Sequence, residues 1–168
     1  MDRRDLLQLA AAAPGVALAQ VSTAPDWKPD VFDAHQNETI VVLTELIIPA
    51  TDTPGAKAAL VNRWMDRMLA AGPAAERDSL LEGLAWLDGY AAKKHGKPFK
   101  RLTEAQQIEM LTELDRVKLP FTEPGQRFFR QIKNWTARVY YSTEIGMREL
   151  NKGGRVPSTY GCTHAQHG

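Results

Sequence analysis

Apolar residues along this chain recur at intervals of three and four, and no segment alternates convincingly with period two. That spacing commits the chain to helices rather than strands. Ile40, Leu43 and Ile47, with Val42 and Leu46 alongside, make the first stripe. Asp33 precedes it as an N-cap, and Gln36 completes a capping box. Pro49 ends this helix, since it has no backbone N–H and disfavours a helical residue before it. Ala50-Thr51-Asp52-Thr53-Pro54-Gly55 is turn chemistry throughout.

A second helix is expected from about Gly55 to Ala71, with Leu60, Trp64 and Met68 on one face and Val61, Met65 and Leu69 beside it. Gly72 and Pro73 stop it. A third starts near Pro73 and carries Leu80, Leu81, Leu84, Leu87 and Ala91. It closes with Lys93, Lys94 and His95 ahead of Gly96, cations at the negative end of the dipole followed by a glycine cap. Thr103 and Gln106 form another capping box, opening a fourth helix through Ile108, Leu111 and Leu114. A fifth begins near Pro124 and runs through Phe128, Phe129, Ile132, Trp135 and Val139. Ser142, Thr143 and Glu144 then read as the break and cap before a short segment, Ile145 to Leu150. The fold class is therefore all-α: one small domain of about five helices over residues 33–150. Residues 20–32, with Pro25 and Pro29, form an extended leader. Residues 151–168, rich in glycine and small polar residues, form an irregular C-terminal tail.

Residues 1–19 belong to a different kind of segment. Arg3 and Arg4 form a positive start, Leu6 to Ala19 is an apolar run broken by Gln8, Pro14 and Gly15, and Ala17 and Ala19 frame a small-x-small cleavage pattern before Gln20. A membrane helix needs about 20 apolar residues, and this run is shorter. D-R-R-D-L-L-Q resembles the twin-arginine pattern that exports folded proteins. Leu6 stands where Phe is usual and Gln8 where Lys is usual; an ordinary secretory signal that happens to contain two arginines is the plainer alternative. Either way the mature chain is expected in the periplasm.

Charge and cysteine usage exclude several classes. With 21 basic and 20 acidic residues the net charge is +1, and no basic patch offers a path for a phosphate backbone, so no nucleic-acid partner is expected. The single cysteine, Cys162, cannot form an internal disulfide, a C-x-x-C-H haem attachment or a four-thiolate cluster. No two glycines are spaced G-x-G, so the dinucleotide fingerprint is missing, as is the P-loop. No cofactor is expected in this chain.

The tail holds the best candidates for chemistry. Cys162 and His164, with His167, would supply three ligands of a zinc or copper site, or Cys162 beside His164 an activated thiolate. The spacing is cramped for one metal, and no third group orients the pair. Paired carboxylates such as Asp66 and Glu82 have no spacing that singles them out. Trp64, Trp86, Trp135, Tyr140 and Tyr141 read as core or interface residues. No catalytic set emerges.

Three stretches together carry a resemblance. L-T-E-L-I-I-P-A-T-D-T-P-G-A (Leu43 to Ala56), F-F-R-Q-I-K-N-W-T-A-R-V-Y-Y-S-T-E-I-G (Phe128 to Gly146) and Y-G-C-T-H (Tyr160 to His164) resemble the signatures of the gluconate 2-dehydrogenase subunit 3 family. The order Y-Y-S-T departs slightly from Y-Y-T-S. The resemblance implies a small, non-catalytic accessory subunit beside a large flavoprotein of the glucose-methanol-choline type, which carries FAD. A cytochrome c subunit bearing haem c often completes such complexes, which attach to the inner membrane through their partners. It also gives the twin-arginine start a purpose. A flavoprotein that closes around FAD in the cytoplasm must cross folded, and Arg3 and Arg4 would present it to the twin-arginine translocase. The expected interface is the corner containing Ile48, Pro49, Asp52, Pro54 and Gly55, the aromatic segment with Trp135, Tyr140 and Tyr141, and the tail with Cys162 and His164. For the aromatics, filling the helical core is an equal alternative. A free-standing periplasmic metal-binding module, or a small enzyme using Cys162 and His164, is the competing reading.

Overall fold

The computed structural model describes residues 27–116 and 122–150. Within them the chain folds into six α-helices and no strand: α1 (Ala34–Ile47), α2 (Val61–Ala71), α3 (Ala74–His95), α4 (Glu104–Arg116), α5 (Glu123–Tyr140) and α6 (Glu144–Leu150), with a 3₁₀ turn at Phe99–Arg101. None of these helices is long and apolar enough to cross a membrane.

Local chemistry sets most of the boundaries. Gln36 N–H donates to Asp33 Oδ1 (2.7 Å) and Asp33 N–H to Gln36 Oε1 (3.0 Å), so the expected capping box opens α1. Thr103 and Gln106 repeat it at α4, at 3.1 and 3.4 Å. Gly96 closes α3 with φ +73° and an N–H to Ala92 O at 2.8 Å. Thr143 Oγ1 accepts the Gly146 N–H at 3.2 Å, which makes the Ser142–Glu144 break the cap of α6.

The second helix starts later than its apolar spacing suggested. Residues 56–60 are turns, and they close as a Schellman motif: Val61 N–H reaches Ala56 O and Leu60 N–H reaches Lys57 O, both at 3.1 Å. Leu60 takes the left-handed position (φ 54°, ψ 38°), normally a glycine's, where a Cβ costs about 1–2 kcal/mol. Ala56 and Val61, which the motif brings together, are both fully buried.

Helix α5 is the axis of the bundle and packs on α1, α2, α3 and α4. Its inward arc holds Phe128, Phe129, Ile132, Trp135, Thr136, Val139 and Tyr140. Against α3 the packing is reciprocal: a Cβ at Gly83 would stand 2.1 Å from the Phe128 ring, and one at Gly125 2.0 Å from the Trp86 ring. Each helix thus receives the other's aromatic where it carries only hydrogen. The fourth helix is rotated relative to expectation. Gln107, Met110, Leu111 and Leu114 face inward, and Ile108 stays 48 % exposed. Gln107 is drawn in because its Nε2 donates to Phe99 O at 3.0 Å, which satisfies the 3₁₀ turn.

Candidate functional site

The connection between α1 and α2 is built as a rigid corner. Its organiser is Glu45 in the last turn of α1. A carboxylate at a helix C-terminus opposes the macrodipole. Here it is held by donors from the loop: Oε1 accepts Ala50 N–H (3.0 Å) and Oε2 accepts Lys57 N–H (2.7 Å). Ala56 N–H to Ile48 O (2.9 Å) closes the loop, and Thr51 N–H to Thr53 O (2.9 Å) tightens its tip. A Cβ on Gly55 would lie 2.5 Å from both Ala50 N and Glu45 Oε1, so glycine is required there for close approach.

A third tether comes from another helix. Tyr140, at the C-terminus of α5 and without exposed surface, donates its hydroxyl to Pro54 O at 2.7 Å. Burial, and then the neighbouring Glu149 side chain, push this phenol up to about 12. Its hydroxyl therefore keeps its proton, and remains a donor, past the pH at which an ordinary tyrosine ionises. Tyr141 meets Tyr140 edge-on, at 5.2 Å between centroids, and is 36 % exposed.

The sequence-predicted interface residues divide accordingly. Pro49, Asp52 and Pro54 face outward on the corner, Ile48 is half-buried against the core, and Gly55 is enclosed beneath them. Tyr140 is brought to the corner from within. Trp135 is not; it lies earlier on α5, 5 % exposed, with the Arg138 guanidinium 4.1 Å over its ring. The reading of Trp135 and Tyr140 as core side chains is the one their burial fits. Arg3, Arg4, Ala17, Ala19, Cys162 and His164 lie outside the described residues, and among the described residues no three His, Cys, Asp or Glu side chains come together at metal-binding spacing.

Beside the corner runs an open cleft of about 470 Å³ between α1 and α4, walled by Val41, Val42, Leu46, Pro49, Ala50 and Ile108. Glu45, Lys57, Glu104 and Gln107 border it; Glu45 and Gln107 hold backbone groups, while Lys57 and Glu104 bring one charge of each sign to the rim. The corner and cleft together offer a rigid, mostly apolar relief suited to receiving another protein surface.

Two carboxylates that hold backbone in place, Glu45 at the corner and Asp66 on α2, escaped the sequence reading. Glu45 carried a signal, an anion placed against the dipole just before a proline-terminated loop. Asp66 was passed over as an unremarkable acid. It sits within the inward arc of α2 and accepts backbone N–H groups from Asp30, Val31 and Phe32 at 2.8, 3.0 and 3.0 Å. Its place among Val61, Met65 and Leu69 was the available hint.

Comparison with known proteins gives one result. The profile described as gluconate 2-dehydrogenase subunit 3 matches residues 34–154. No curated protein and no solved structure matches the chain. The profile begins at the first residue of α1 and spans all six helices, so this chain belongs to the gluconate 2-dehydrogenase subunit 3 family.

Proposed function

We propose that this chain is the small accessory subunit of an exported, flavin-dependent dehydrogenase that oxidises sugars, sugar acids or alcohols. The family match over residues 34–154 carries the reading. In it the FAD and the reacting groups belong to a large flavoprotein subunit, and haem c to a cytochrome subunit where one is present. This chain's work is to bind and stabilise the large subunit, and to address it for export.

The corner around Glu45 and Gly55 supports the binding role. Its backbone is fixed by three separate tethers before any partner arrives, so little conformational entropy remains to be lost on docking. The Arg3-Arg4 segment supports the export role: a flavoprotein assembled in the cytoplasm needs a route for folded cargo, and one signal serves both chains. The complex then works in the periplasm, at the inner membrane where a partner anchors it.

The test is to replace Arg3 and Arg4 with lysine in cells that make both subunits, and to measure flavin-dependent dehydrogenase activity in periplasm and cytoplasm. Both chains should be stranded in the cytoplasm as a pair. Normal arrival of the flavoprotein in the periplasm without its small partner would overturn the export role.

A further inference from the structure

We infer that the outward ridge of α2 is a second docking surface, and that it seats in an apolar groove rimmed by carboxylates on the large subunit. This rests on the accessory-subunit reading above. The ridge consists of Leu60, Trp64 and Met68, which are 42 %, 49 % and 37 % exposed. They follow one another at i, i+4 and i+8, a line roughly 12 Å long on a helix rising about 1.5 Å per residue. The opposite side of the same helix, Val61, Met65 and Leu69, already fills the core. Among the described residues nothing covers the three outer side chains.

Leu60 strengthens the assignment. It occupies the left-handed position of the Schellman closure, where glycine would fit without strain. Because the side chain remains 42 % exposed, its packing against the described residues offsets that strain only in part. A contact made outside this chain would offset the rest.

The flanking charge identifies the occupant. Arg63 stacks over Trp27 at 5.2 Å and Arg67 over Trp64 at 5.8 Å, and neither forms an ion pair with a described residue. The carboxylate of α2 itself, Asp66, is turned inward onto backbone N–H groups. The exposed side of the helix is thus apolar with two guanidiniums and asks for acidic side chains around a groove. A second copy of this chain would set the same cations against each other. An anionic membrane would satisfy the charge, but the apolar row is only one side chain wide, which suits a groove better than a bilayer surface.

The test uses the full chain co-expressed with its flavoprotein, with a tag on the small subunit and retained flavin as the readout. Trp64→Ala and Arg67→Glu should each weaken retention roughly tenfold or more while the melting temperature of the small subunit stays within a few degrees. Leu60→Gly should raise that melting temperature and still weaken retention, an opposition that a purely structural leucine would not produce. Wild-type levels of flavin on all three variants would remove the ridge and leave the accessory reading standing. A wild-type chain that retains no flavoprotein would remove both. Sedimentation with phosphatidylglycerol vesicles that is lost in Trp64→Ala, with flavin retention unchanged, would assign the ridge to a membrane and overturn the groove.

Discussion

Asp66 is a buried carboxylate with both oxygens in use. It has no exposed surface, yet it receives three successive backbone N–H groups from a segment more than thirty positions earlier. Such a run of N–H groups forms a concave anion site, and here the side chain fills it. The bond set ties the leader to α2 and orients Phe32 into the core, where it is 4 % exposed. Asp66→Asn would present an NH₂ group to donors that cannot accept it. We expect a loss of about 2–3 kcal/mol, the range for hydrogen bonds to a charged group plus a donor left unpaired. Urea unfolding measures the loss, and hydrogen exchange should show the amides of Asp30, Val31 and Phe32 opening first. An unchanged midpoint would mean that the nest adds nothing to stability.

The helices show which features were legible in the sequence. Capping boxes at Asp33/Gln36 and Thr103/Gln106, the Gly96 closure of α3 and the proline that ends α1 are interactions within a few residues, and reading them locally placed those boundaries. The start of α2 was hidden because a leucine occupies the turn position that a glycine would have announced. Ile108 was expected inside because apolar spacing does not reveal that Gln107 is drawn in by a carbonyl across the fold. The corner was visible as turn chemistry, but the Glu45 tethers and the Tyr140 hydrogen bond join groups that only the folded chain brings together. Two glycines separate local from tertiary demand. Gly89, on the exposed side of α3, has nothing within 4 Å of a would-be Cβ, so Gly89→Ala should stabilise by about 0.5–1 kcal/mol through helix propensity. At Gly55 the same added methyl meets backbone and carboxylate at 2.5 Å. Gly55→Ala should therefore destabilise by about 1–3 kcal/mol, the usual cost of overpacking. Thermal melts of the two variants should move in opposite directions; matching shifts would mean that the loop yields freely.

Across the whole molecule, α5 gathers the other long helices and its last residues fasten the corner, so Tyr140 joins the core to the proposed docking face. That junction makes stability sensitive to alkali. The unfolded chain releases a tyrosine proton near pH 10, whereas burial and Glu149 hold the Tyr140 proton until about 12. Between those values the unfolded state binds fewer protons than the folded one, so stability falls as pH rises, by at most about 1.4 kcal/mol per pH unit for this group. Below the unfolded value both states are protonated, and the stabilisation is fully present. Tyr90 acts in the same direction, raised by its burial and by the adjacent Glu113, so the slope belongs to more than one tyrosine. Tyr140→Phe separates them. It should cost about 1 kcal/mol at neutral pH, because Pro54 O loses its donor, and it should flatten the decline between about pH 10 and 12 without abolishing it. Urea titrations of wild type and variant across that window give both quantities. Parallel curves would mean that Tyr140 titrates alike in the folded and unfolded chains, and that its hydroxyl does not hold the corner in place.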